Sequence, residues 1–196
     1  MRYLYCGLFV VAVAAIVYAL FAAAGGPRSH TPLERFAVED LAGLDFSRAG
    51  SPVSDASFLD ADGNQTRLAD FAGKTILVNF WATWCGPCER EMPHLGALQA
   101  ARGGDQFNVV AISVDGRDDE AYARRRLDEL TGGTIAFAFA PPDAWDIVYE
   151  SGATGFPTTV IYGPDGTEVA RLQGEADWSK GLALGFVDEI ISDTHS

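Results

Sequence analysis

Three features of the sequence predict an α/β fold built on a mixed central sheet. Two apolar runs, TILVNFW (75–81) and FNVVAISV (107–114), carry no charge and fit strands buried on both faces. Segments of helical character follow each of them. Near the C-terminus, PTTVIY and TEVARLQG are joined by the turn residues Pro164-Asp165-Gly166 and close the sheet as a hairpin.

The 196 residues leave room for one domain with a substantial core once the first two dozen are set aside. A hydrophobic content of 48% with 21% charged residues fits a globular chain. The net charge of −13 argues against nucleic acid or an anionic membrane face as main partner. Its simplest role is solubility, with an acidic face for a basic or metal-handling partner as the alternative. Tyr3 to Ala24 contains no charge, and as a helix it would span roughly 33 Å, enough for a hydrocarbon core of ~30 Å. Residues 1–24 are therefore expected to be a transmembrane anchor, with a cleaved signal sequence as the alternative. Arg2 before the run and Arg28 after it place the rest of the chain outside the cytoplasm only weakly. A linker over 25–50 and a domain over 51–193 complete the expected organisation.

Within the linker, Leu33, Phe36, Ala37, Leu41 and Leu44 fall at helical spacing behind Thr31 and Pro32, which suggests a short helix or part of a tether. Asp62-Gly63 lies between short extended pieces and reads as a hairpin. TILVNFW is the central strand, and a helix follows from Pro87 to about Arg102. After FNVVAISV, residues 118–130 should be helical, with Arg124, Arg125 and Arg126 on a solvated face. TIAFAFA (134–140) reads as a strand and 142–151 as a short helix. Asp177 is placed to cap a final helix running to about Ser192.

The chemistry centres on Cys85 and Cys88, separated by Gly86-Pro87. Zinc would need further ligands, but His30, His94 and His195 are scattered and no second cysteine pair exists. A purely structural disulfide over so short a loop would remove little unfolded-state entropy. Cys6 falls within the apolar run, far from the pair. Thiol–disulfide exchange remains. A strand ending at Trp81 and a helix starting near Pro87 put Cys85 at a helix N-terminus, where unpaired N–H groups favour a thiolate. Lowering a thiol from ~8.5 to ~7 raises the thiolate from a few per cent to about half at neutral pH. Cys88, one turn further in, would resolve the mixed disulfide. Glu91, three residues on, shares the helix face of Cys88 and is the candidate acid/base. His94 lies off that face. Trp84 beside the exposed sulfur would shape a docking surface with Gly86 and Pro87. In GATGFPTT (152–159), Pro157 follows a glycine-rich bend and precedes a buried strand, where a cis peptide can occur. The backbone of Phe156 would then face Cys85 and pair with a substrate strand.

Taken together, FWATWCGPC, the distant GFPTT and VIYGPDGTEVARLQG resemble the thioredoxin superfamily over roughly residues 51–192. The N-terminal apolar run, FLDADGNQTRLADFAGKTILVNFWATWC and CEREMP look like its membrane-anchored TlpA/ResA/CcmG members, with the closing QGEADW nearest the TlpA type. The resemblance implies a thioredoxin-like fold and a single-pass protein of the inner membrane facing the periplasm. It also implies a redox-active dithiol with no other cofactor and a membrane electron donor of the DsbD/CcdA type. TlpA-type clients are proteins of the cytochrome oxidase copper centre, such as oxidase subunit II or a Sco-type copper chaperone. The ResA/CcmG branch reduces apocytochrome c, and a glutamate at the position of Glu91 belongs to that branch. Thioredoxin carries a buried aspartate where Asn79 stands here, which shifts proton transfer towards Glu91 or water. GFPTT also lacks the longer, glutamate-bearing proline loop of CcmG, so the resemblance implies a reductant for copper-centre assembly first, with apocytochrome c as the alternative client.

Gly-Pro between the cysteines matches reducing thioredoxins, and Glu89 and Glu91 should limit over-stabilisation of the thiolate, which points to a reductant. A Sco-like copper chaperone could use both thiolates as ligands, but such proteins space their cysteines more widely and add a downstream histidine. A DsbA-like oxidase would carry a histidine in the dipeptide, and a peroxiredoxin a single peroxidatic cysteine.

Overall fold

The computed structural model describes residues 32–193. Within them, eight strands form one sheet: β1 (Leu44–Asp45), β2 (Ser57–Leu59), β3 (Gln65–Arg67), β4 (Thr75–Trp81), β5 (Phe107–Ser113), β6 (Phe137–Phe139), β7 (Thr158–Tyr162) and β8 (Glu168–Gln173). Their order is β1-β8-β7-β4-β5-β6-β2-β3. The sheet is mixed: β4–β5 and β5–β6 are parallel, and every other pairing is antiparallel. The helices are α1 (Gly86–Arg102), α2 (Glu120–Thr131), α3 (Asp146–Glu150) and α4 (Gly181–Asp193), with short 3-10 turns between.

β4 sits at the centre because it has no polar face to leave in water. All seven of its residues are buried, and Val78 pairs with Val110 on one side and Val160 on the other. The core around it contains Trp81, Trp178, Tyr162, Phe80, Phe107, Phe139 and Phe186. Gly63 (φ 81°) and Gly166 (φ 74°) turn the β2–β3 and β7–β8 hairpins, in conformations that a side chain would resist.

Several expectations need correction. The domain begins before Ser51, because Leu41 and Leu44 are buried and β1 pairs with β8. The helix suggested over 33–44 is two 3-10 turns, Pro32–Phe36 and Glu39–Leu41, followed by β1. Glu39 takes a positive φ of 51°, which interrupts a regular helix. Its apolar spacing still buries Leu41, and Phe36 packs edge-on against Phe186 at 5.5 Å. Asp177 does not cap α4. Its carboxylate instead accepts from the Ser179 N–H at 3.1 Å, a turn that precedes the helix. The arginine run is more than a solvated face: Arg124 lies 4.4 Å over the Phe137 ring, and Arg126 pairs with Glu89 at 2.7 Å. Among the described residues no helix is long and apolar enough to cross a membrane. The anchor expected at 1–24, with Cys6, lies outside them, as do His30 and His195.

Candidate active site

From β4 the chain turns through Ala82-Thr83-Trp84 into α1, and Cys85 becomes the N-cap of that helix. Its backbone is extended (φ −99°, ψ 97°) and its sulfur accepts from the Cys88 N–H at 3.3 Å. Pro87 fits the first turn, where an N–H has no intrahelical acceptor. Cys85 and Cys88 form a disulfide with Cα atoms 5.3 Å apart. Cys88 is fully buried and Cys85 retains 6% exposure, so a partner reaches Cys85 first. In the dithiol state the helix-terminal N–H groups would stabilise a Cys85 thiolate.

The approach to Cys85 is pinned from behind by Asp115, a buried carboxylate just past β5. It accepts from the Thr83 N–H at 3.1 Å, the Thr83 hydroxyl at 2.7 Å and the Ser113 hydroxyl at 2.8 Å. A buried carboxylate needs such donors, and here they fix the loop that carries Trp84 and Cys85.

Glu91 is 1% exposed. One carboxylate oxygen accepts from the Trp178 indole N–H at 2.7 Å and the Ala176 N–H at 3.1 Å. The other accepts from the Asn79 amide at 3.0 Å, which also donates to the Thr159 hydroxyl at 2.9 Å. Burial pushes the Glu91 carboxyl up to about 7, although those three donors pull it down. Above it opens a cleft of about 390 Å³ walled by Asp40, Arg90, His94 and residues 175–177. His94 is half-exposed, 3.1 Å from Asp177. Glu89, by contrast, is held below its ordinary range by the Arg126 guanidinium, so its charge is paired.

The Phe156–Pro157 peptide is cis. Pro157 is anchored through its carbonyl, which accepts from the Gly174 N–H at 2.9 Å. Phe156 meets Trp84 edge-on at 5.9 Å, so the proline loop adjoins the tryptophan before Cys85. Trp84 is 63% exposed, whereas Trp81 is wholly buried.

The structure thus brings Trp84, Cys85, Gly86, Pro87, Cys88, Phe156 and Pro157 to one end of β4, and sets Glu91 one helical turn behind Cys88. Sequence reasoning missed the shell around Glu91. Asn79 is a donor to it, not merely the replacement of an aspartate, and Trp178 and Thr159 complete the set. The tryptophan closing QGEADW was a usable signal, since a buried indole needs an acceptor. Asp115 was missed as well, although an acid directly after a buried strand calls for partners.

Residues 48–175 match the model of the Redoxin family. Thiol-disulfide oxidoreductase ResA of Bacillus thuringiensis subsp. konkukian is 29% identical over 116 residues, covering 59% of this chain and 64% of that protein. The matched stretch therefore spans less than two thirds of that relative. ResA of Bacillus anthracis is 30% identical over 131 residues, 67% of this chain and 72% of its own. A putative thiol:disulfide interchange protein DsbE from Chlorobium tepidum shares the fold with a TM-score of 0.61 at 23% identity, covering 73% of this chain and 97% of that one.

Proposed function

This chain belongs to the Redoxin family, and on that premise we propose that it is a thiol–disulfide oxidoreductase working as a protein-disulfide reductase. The observation that carries this is the Cys85–Cys88 pair at the head of α1, with a buried carboxyl near neutrality one turn behind it. In the reduced protein the Cys85 thiolate attacks a client disulfide. A Cys85–client S–S bond forms, the client S–S bond breaks, and the departing client sulfur takes a proton. Cys88 then loses its proton and attacks the Cys85 sulfur, restoring the intramolecular disulfide and releasing the second client thiol. The client gains two electrons and two protons, and the Cys85–Cys88 dithiol loses them. Glu91 receives the Cys88 proton on this path and returns it during re-reduction, a task suited to a group that titrates near the working pH.

Re-reduction requires a dithiol donor, which the TlpA/ResA/CcmG resemblance assigns to a membrane protein of the DsbD/CcdA type. An anchor at 1–24 would hold the domain beside it on the periplasmic side of the inner membrane, raising effective concentration. Trp84, Gly86 and Pro87 border the attacking sulfur. Among the described residues nothing hydrogen-bonds the Phe156 backbone, which leaves it able to pair with a client strand. The ResA relatives and the buried Glu91 favour apocytochrome c as client over the copper-centre proteins of the TlpA type.

The deciding experiment replaces Cys88 with serine in the full chain, expresses it in its native membrane and identifies what is trapped on Cys85. Apocytochrome c is the expected capture. Oxidase subunit II or its copper chaperone would move the client to the copper centre, and no mixed disulfide at all would overturn the exchange reaction. Direction is tested by the reduction potential, expected at or below ~−270 mV. A value near −120 mV would mark an oxidant.

A further inference from the structure

Beyond Trp84 the aromatic surface continues in a direction that the exchange reaction does not use. Phe156 meets Trp145 at 6.0 Å, and Trp145 meets Tyr149 at 6.3 Å, each edge-on. With the Trp84–Phe156 contact, four rings lead from the reactive disulfide out to α3, where Tyr149 is 67% exposed. Trp84 and Tyr149 stand exposed at the two ends of the row, with Phe156 and Trp145 half-buried between them. Large apolar side chains linked in this way mark an interaction surface. The ring-to-ring steps of 5.9–6.3 Å come close to the ~6.7 Å repeat of same-side residues on an extended strand.

Charge decides what kind of segment fits. Asp146 and Glu150 stand four residues apart on α3, exposed on either side of Tyr149 in sequence. Neither residues 82–88 nor residues 141–163 contain a lysine, arginine or histidine. Among the described residues, the cations that reach this stretch are engaged: Arg117 with Asp143, Arg171 with Glu168 and the carbonyls of Ser151 and Gly152, and Arg48, beside Gly152, with Glu168 at 3.9 Å. The Glu150 carboxylate accepts a side-chain hydrogen bond only from the neutral Ser54 hydroxyl among the described residues.

We propose that this ladder is the docking track for an extended client segment that carries an apolar residue and a lysine or arginine close to its reactive cysteine. The inference rests on the exchange reaction proposed above and adds the class of client. The apolar residue lies among the rings next to Trp84. The cation lies at Tyr149, between Asp146 and Glu150, where an aromatic face and two carboxylates both favour it.

Two disulfide-bonded peptides with the same cysteines and the same neighbouring leucine, one with lysine and one with glutamate further along, test the proposal on the reduced full chain. Reduction of hydroxyethyl disulfide is measured first. The lysine peptide should be reduced about fivefold to tenfold faster than the glutamate peptide at low salt, with the ratio falling as salt rises. Because the whole chain is acidic, a remote reversal serves as control. Asp62→Lys, on the β2–β3 turn at the sheet end opposite the disulfide, should keep most of the ratio, whereas Asp146→Lys should bring it to about two or below. Tyr149→Ala should slow the lysine peptide more than the glutamate peptide. Equal rates for the two peptides in the unmodified protein, or an equal loss of ratio in Asp62→Lys and Asp146→Lys, would overturn the docking track while exchange stands. Failure to reduce even hydroxyethyl disulfide would overturn the exchange reaction, and the track with it.

Discussion

At the scale of single residues, Glu91 shows how burial changes the acidity of an ordinary side chain. Removed from water, the carboxyl would resist ionisation altogether, but the N–H donors of Trp178, Ala176 and Asn79 hold it near 7 instead of far above. Glu91→Gln keeps the volume and most hydrogen-bonding capacity but carries no exchangeable charge. It should slow peptide-disulfide reduction about a hundredfold and remove a titration near pH 7 from the rate profile. Stopped-flow rates from pH 5 to 9 that match those of the unmodified protein would exclude the proton-transfer role. Trp178→Phe removes one donor and leaves the burial in place. The midpoint of the rate profile should then move upward, since the lost hydrogen bond favoured the charged form.

At the scale of elements, α1 links the chemistry to the core. Its first turn presents Cys85, its buried face carries Cys88, Glu91 and Met92, and further along Gly96 meets α2. A Cβ at Gly96 would lie 2.9 Å from both Cα and O of Thr131, which are backbone atoms that cannot rotate aside. Gly96→Ala should therefore cost about 1–3 kcal/mol, read as a lower midpoint in urea with an unchanged slope. Arg126 of α2 reaches back to Glu89, one turn along α1 from Cys85. Glu89→Gln would leave that guanidinium with the more exposed Glu129, at 3.2 Å, as its remaining carboxylate partner among the described residues. The less compensated charge near the head of the helix would lower the Cys85 thiol and stabilise the reduced form. The pair is partly exposed, so the expected rise in potential is small, about 20 mV against a glutathione redox series.

At the scale of the whole molecule, the same buried carboxyl makes folding depend on pH. The native state holds the Glu91 proton more tightly than the unfolded chain does. The stabilisation is therefore full below the ordinary value of 4.5 and is lost as pH rises through about 7. Asp45, Asp60, Glu89 and Asp143, held low by their hydrogen-bond partners, act in the opposite sense on the acid side. Thermal unfolding should accordingly show greatest stability near pH 5, with a decline of up to about 3 kcal/mol towards pH 8 that Glu91→Gln abolishes. The sheet and the redox pair were legible in the sequence because both depend on local pattern: TILVNFW is apolar throughout, and the Gly-Pro spacing sets both cysteines at one helix start. The first edge strand was not, since Leu41 and Leu44 follow a helical spacing that only the company of β8 and the core resolves. Nor could the sequence tell that Asn79 and Trp178, about a hundred residues apart, would meet on Glu91 with Thr159 behind Asn79, or that Trp145 and Tyr149 would extend the face of Trp84. By itself the sequence determined the fold class, the reactive pair and the residue types at hand. Tertiary structure alone decided which carboxyl is buried with which donors, because desolvation and hydrogen-bond geometry depend on neighbours in space and not on spacing along the chain.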